Sequence, residues 1–175
     1  MVDSLCYSSI ELNKGDKMER MINHDVSKAY EYIKQIIDAK IRLYRIEYEV
    51  CNDAPNKYED MVSSFETCNY FKVFGGGDHG HLGREYNIKF RALHDYMHYT
   101  NELSFSFADE KQLSMITQWE FMQYAYNRMG LTQWETYCIG QVIKAEIQGQ
   151  IEYYEKNNQY VKNQTSFVLE YLGVA

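Results

Sequence analysis

Apolar residues fall at positions 18, 21, 22, 26, 29, 33, 36, 37, 41 and 44, a helical spacing that predicts a long helix from Asp16 to about Val50. Asn52-Asp-Ala-Pro55 breaks it, and a second helix is expected over 55–72, with Tyr58, Met61, Val62 and Phe65 on one face. Residues 74–83 hold five glycines in ten positions and predict a loop. A third helix is expected over 85–101, and Leu103-Ser-Phe-Ser-Phe reads as an extended connector. Ser106 with Asp109, and Thr132 with Glu135, have the spacing of capping boxes. They predict helices over 107–129, closed by Gly130, and over 132–157. A shorter helix near 163–172 ends the chain. The expected fold is all-α, a single helical domain over 1–175: a bundle of five to six helices, an irregular segment at 1–15, and the glycine-rich loop at 74–83.

Composition narrows the function. The 175 residues include 18 Lys+Arg and 25 Asp+Glu, giving a net charge of −7, which disfavours a grip on nucleic acid. One proline and ten glycines argue against a turn-rich β-sandwich. No window approaches the roughly 18 apolar residues of a membrane span, and the N-terminus has no signal-peptide pattern. Cys6, Cys51, Cys68 and Cys138 form no Cys-x-x-Cys pair and fit cytoplasmic thiols.

Chemistry concentrates on the third helix. Asn87, Arg91, His94, His98 and Asn101 share one stripe, because positions three and four apart lie on one face. His94-Asp-Tyr-Met-His98 puts two imidazoles one turn apart, a spacing that lets both bind one metal ion. Asp95 stands where metallohydrolase helices carry glutamate and suits a base or a group that orients a ligand. On the fifth helix, Glu146 lies in the apolar stripe, where a buried carboxylate needs a cation: Arg91, or a metal held by the histidines. Gln150 follows one turn on, suited to orienting a water or a substrate group. His79 and His81 alternate within the glycine loop and read as surface residues that could also reach a metal. The loop is neither a P-loop, since no Lys-Ser or Lys-Thr follows, nor a dinucleotide fingerprint, since no parallel-strand unit is expected around it.

Residues 80–168 resemble a family of uncharacterised proteins of tailed bacteriophages, through Arg91-x-x-His94-Asp95-x-x-His98, Phe105-Ser-x-x-x-Glu110, Glu146-x-x-Gly149-Gln150 and Asn163-Gln164-x-x-Phe167. The resemblance implies a phage source, an infected host's cytoplasm, and those ten polar or glycine positions as a residue set; it implies no reaction. His94-Asp95 also matches the central dyad of the helical His-Asp phosphohydrolases. Those enzymes need an upstream helical histidine and a downstream aspartate, and no Asp follows Asp109 here. A di-iron carboxylate bundle is disfavoured by the absence of any Glu-x-x-His.

The leading expectation is a metal-dependent hydrolase of a phosphate-containing small molecule or nucleotide. His94, His98 and Glu146 would hold a divalent zinc, manganese or iron ion, leaving a position for water. Glu110 or Asp95 would act as general base, and Arg91, with Asn87 and Gln150, would hold the substrate. The alternative is a non-catalytic phage protein that binds a host defence protein or sequesters a nucleotide signal in a polar pocket.

Overall fold

The computed structural model describes residues 20–174; the segment expected to be irregular, 1–15, and the expected helix start at Asp16 lie outside them. Among the described residues the chain is mostly helical, as the periodicity predicts. α1 spans Asn23–Tyr44 and buries Val26, Ala29, Tyr30, Ile33, Ile36 and Ile37. It stops at Arg45, which adopts φ +54° and turns the chain.

Here the structure departs from the expected helix to Val50. Residues Tyr48–Cys51 form strand β1, and after α2 (Tyr58–Cys68) residues Phe71–Phe74 form β2. The two strands pair in parallel, Tyr48 opposite Phe71 and Cys51 opposite Phe74. A parallel-strand unit therefore does lead into the glycine loop. Its signal was present: Ile46-Glu-Tyr-Glu-Val50 alternates with period two, and Phe71 and Val73, both buried, alternate in β2. Each run is only about one strand long, so the helical spacing that precedes it dominates any wider window.

A single 3-10 turn at Gly80–Leu82 leads into α3, Gly83–Asn101. A short connector then folds α4, Phe107–Met129, back on α3, with the Ser106 hydroxyl accepting from the Asp109 amide. Gly130 at φ +67° closes α4. α5, Gln133–Lys144, opens on the expected Thr132–Glu135 capping box. Its continuation is not the regular helix expected to 157. Ala145–Gly149 is one π turn, and α6 resumes over Gln150–Asn157. Such wide turns are frequent at functional sites. α7, Gln164–Tyr171, is capped by the Asn163 side chain. The core lies where α1, α3, α4 and α5 meet, around Ile37, Leu93, Phe121 and Ile143.

One charge is embedded in that core. Lys40 is 4% exposed, and its ammonium donates to Glu120 Oε2 at 2.5 Å and to the Tyr44 hydroxyl at 3.4 Å. Glu120 keeps 27% of its side chain in solvent. Removing the carboxylate strands a buried cation, whereas removing the lysine leaves an anion that water can still reach. Glu120→Ala should therefore cost about 2 kcal/mol or more, and Lys40→Met clearly less, in urea unfolding. Equal losses would show that packing, not charge, sets the effect.

Candidate metal centre

The last turns of α3 and the first turn of α4 build the site. His98 is fully buried, and its Nδ1 lies 2.9 Å from the Leu103 carbonyl oxygen. A carbonyl only accepts, so Nδ1 carries a proton and Nε2 is the atom turned toward the cluster, with a lone pair when the ring is neutral. That Nε2 lies 3.1 Å from His94 Nε2 and 3.3 Å from Glu110 Oε1. His94 Nε2 in turn lies 3.1 Å from Glu110 Oε2. One ligand atom from each of the three residues fits within a 4.8 Å span. Ligands about 2.1 Å from a tetrahedral ion stand roughly 3.4 Å apart, close to these separations. The rings meet edge to face, 4.6 Å between centroids, and Phe105 covers His98 at 4.8 Å.

The trio is rich in lone pairs. With neutral imidazoles, a proton on His94 Nε2 can bridge to only one neighbour, and His98 Nε2 then faces a carboxylate oxygen with nothing between them. A further proton or a cation balances the cluster. With that further proton on the imidazoles, burial still works against the Glu110 charge, but hydrogen bonds from both rings and their attraction overturn it, holding the carboxyl well below the usual carboxylate range. His94 and Glu110 keep about a fifth of their side chains exposed, 20% and 18%, so the cluster is reachable from solvent.

The expected site residues divide into two groups. His94 and His98 sit together as predicted, but the carboxylate that joins them is Glu110, placed in the sequence reading as a base. Glu146, expected as the third ligand, belongs to a different polar cluster. Its oxygens accept from the Tyr30 hydroxyl and, at 2.8 Å, from Gln150 Nε2. Burial drives its carboxyl up to about 7 against those two hydrogen bonds, and Asp78 adds to the rise. Gln150 accepts from Gln164 Nε2 at 3.4 Å, so it serves this cluster too. Arg91 donates from Nη1 to the carbonyls of Phe74 and Gly76, at 2.6 and 2.9 Å. Its first role is to hold the glycine loop, with Nε and Nη2 left over for an anion. Asp95 is pushed up to about 7 by burial, while His98 and Arg91 pull it down and Glu110 pushes it up. Asn87 is 6% exposed, and its Oδ1 has no partner among the described residues.

The loop histidines are half-buried, each with one ring nitrogen sealed from solvent. The His81 ring lies on the Tyr30 ring at 4.8 Å between centroids, and His79 Nδ1 and His81 Nε2 are both buried. Burial, then the Lys34 charge, lowers the His81 pKa. Sequence reasoning missed Tyr30, which lies on the apolar face of α1 like any core tyrosine. It also missed the place of Glu110 beside the two histidines, although a five-residue connector after Asn101 returns the start of α4 to the end of α3.

Comparison with protein-family models, with curated proteins and with solved structures finds no match for this chain. The fold and the site define it as an all-α protein with a His-His-Glu group able to hold a metal ion. No helix among the described residues is long and apolar enough to cross a membrane.

Proposed function

We propose that the protein is a metal-dependent hydrolase of a phosphate-containing small molecule or nucleotide, with a divalent zinc, manganese or iron ion held by His94, His98 and Glu110. The observation that carries this reading is the Leu103 carbonyl on His98 Nδ1, the same kind of partner that orients metal-ligating histidines elsewhere. It aims Nε2 at the point His94 and Glu110 share. A divalent ion with an open position supplies a bound water acidic near neutrality and polarises the scissile group. Asp95, outside the trio but in the field of His98 and Glu110, accepts the proton of the attacking water. Arg91, one turn before His94, offers its remaining guanidinium nitrogens to the phosphate. The resemblance to phage proteins and the free Cys51 and Cys68 thiols support a place in a host cytoplasm.

The test is a panel of nitrophenyl phosphates and nucleotides with added zinc, manganese or iron. Hydrolysis should require the metal. Asp95→Asn should lower kcat about 10²-fold while bound metal stays unchanged. Metal binding with no turnover of any member sinks the hydrolase and favours the alternative, a binding protein directed at a host factor. A pull-down from host lysate with wild type and His94→Ala then tests that second reading.

A further inference from the structure

Nine large apolar side chains stay exposed among the described residues, and four of them lie on α4. Apolar side chains scattered singly are ordinary, whereas a contiguous patch marks a docking surface. Phe107 turns to the Tyr154 ring. The other three, Met115, Trp119 and Tyr126, are each more than half exposed. They follow at spacings of four and seven, which a period of 3.6 residues puts on one stripe. Met122 joins the stripe and leans on α5, where a Cβ on Gly140 would stand 2.5 Å from its Sδ. The stripe faces away from the core, because Leu113, Thr117 and Phe121 bury the opposite side of α4.

Charge and pattern say what fits it. From Gln112 to Asn127 the one charged side chain is Glu120, and its carboxylate turns to the edge of the stripe, where it accepts from buried Lys40. The chain carries a net charge of −7, which opposes association wherever charged faces of two copies meet. Along this stripe two copies can approach with no like charges in contact. An uncharged face also lacks the handle by which an acidic or basic partner is selected. Its own copy matches for a further reason: the stripe reads the same from both ends. In an antiparallel pair about a two-fold axis between Trp119 and Met122, Met115 meets Tyr126 of the partner subunit and Trp119 meets Met122 of the partner subunit. Every such contact sets a thioether on an aromatic ring. Trp119 and Tyr126 carry roughly 200 Å² each and Met115 about as much, so their exposed halves give about 300 Å² of apolar surface per copy. Apolar area is a little over half of an ordinary interface, so the pair buries roughly 1,000–1,200 Å² in all. That suits a reversible dimer and falls short of an obligate one.

We propose that α4 is a homodimer contact: two copies of this chain pair antiparallel along Met115, Trp119, Met122 and Tyr126, about a two-fold axis between Trp119 and Met122. Glu110 lies nine residues before Trp119, half a turn round the helix, so the pairing leaves the metal centre untouched.

Sedimentation equilibrium of the full chain, with a chelator present and over about 1–200 µM, should show the mass rise from one chain toward two. Trp119→Glu puts a carboxylate from each copy beside the axis and should weaken pairing about 100-fold or more. Met115→Glu and Tyr126→Lys should each weaken it about tenfold or more. These two positions lie three turns apart in one chain but face each other across the dimer. Met115→Glu/Tyr126→Lys therefore gains two opposite-charge contacts between copies. It should pair about threefold or more tighter than either single variant, and the gain should fade at about 0.5 M salt. Tm at low protein concentration should match wild type in every variant, because the positions are exposed. A chain that stays single at every concentration overturns the pairing and leaves the stripe to a partner of different sequence. A dimer that survives Trp119→Glu overturns it in favour of another face. A double variant no tighter than the single ones overturns the antiparallel match.

Discussion

Protein incubated with zinc or manganese and then desalted should retain about one equivalent of metal per chain. His94→Ala/His98→Ala should retain none. The informative comparison is between two glutamates. Glu110→Gln removes a carboxylate that touches both imidazoles, and should cost more affinity than the 10–100-fold typical of outer partners. Glu146→Gln changes a residue hydrogen-bonded to Tyr30 and Gln150 instead, and should leave metal content at the wild-type level. The metal should also stabilise the fold. At a free concentration 100 times Kd the gain is about 2.7 kcal/mol, or roughly 5–10 °C in Tm for a chain of this size. A chelator should reverse it. Wild-type protein that retains no metal and shows no Tm shift would leave the trio as a protonated hydrogen-bond cluster. Loss of metal in Glu146→Gln but not in Glu110→Gln would restore the ligand set the sequence suggests.

That comparison also shows what was legible in the sequence. The bounds of α4 could be read to the residue, because Ser106 and Gly130 act locally: a side-chain cap and a left-handed closing residue. The two histidines could be paired because one helix fixes their separation. The carboxylate that joins them could not, because it depends on how α4 returns across α3. Glu146 and Glu110 are both acidic residues on helices, and periodicity cannot say which helix start faces His94. The β1–β2 pair was hidden for a different reason. Each strand is four residues long and gains its stability from the other, 23 positions away in the chain, so neither carries a strong signal alone. The four quoted motifs form two spatial groups. Arg91, His94, Asp95, His98 and Glu110 lie on α3 and the start of α4. Glu146, Gly149, Gln150, Asn163 and Gln164 lie where α7 covers the π turn, with Gly149 bare because a Cβ there would stand 3.0 Å from the Tyr171 ring. Spacing in sequence gave no sign of that division.

The second group makes stability depend on pH. Glu146 has a folded pKa of about 7, raised by burial above its unfolded value of about 4.3. A raised carboxyl binds its proton more tightly in the native state. Its contribution is therefore complete below the unfolded pKa and is lost as pH rises through the folded one. The full difference of nearly three units is worth about 3.5 kcal/mol, lost mainly between pH 4.5 and 7. Asp95, also raised to about 7, acts with the same sign and steepens the wild-type curve. Glu110, held well below the usual range, acts with the opposite sign and only at acid pH, so the windows separate. Glu146→Gln isolates the first effect. The amide oxygen can accept from Gln150, and its NH₂ can donate to the Tyr30 oxygen, so the cluster keeps its contacts without a titrating group. The variant should match wild type near pH 5 and exceed it by about 3 kcal/mol at pH 8 in chelator-treated urea titrations. A stability difference between the two proteins that stays constant from pH 5 to 8 would mean that Glu146 is ionised throughout. Solvent would then reach its carboxylate, and the direction of the Gln150–Gln164 chain would be fixed across that whole range.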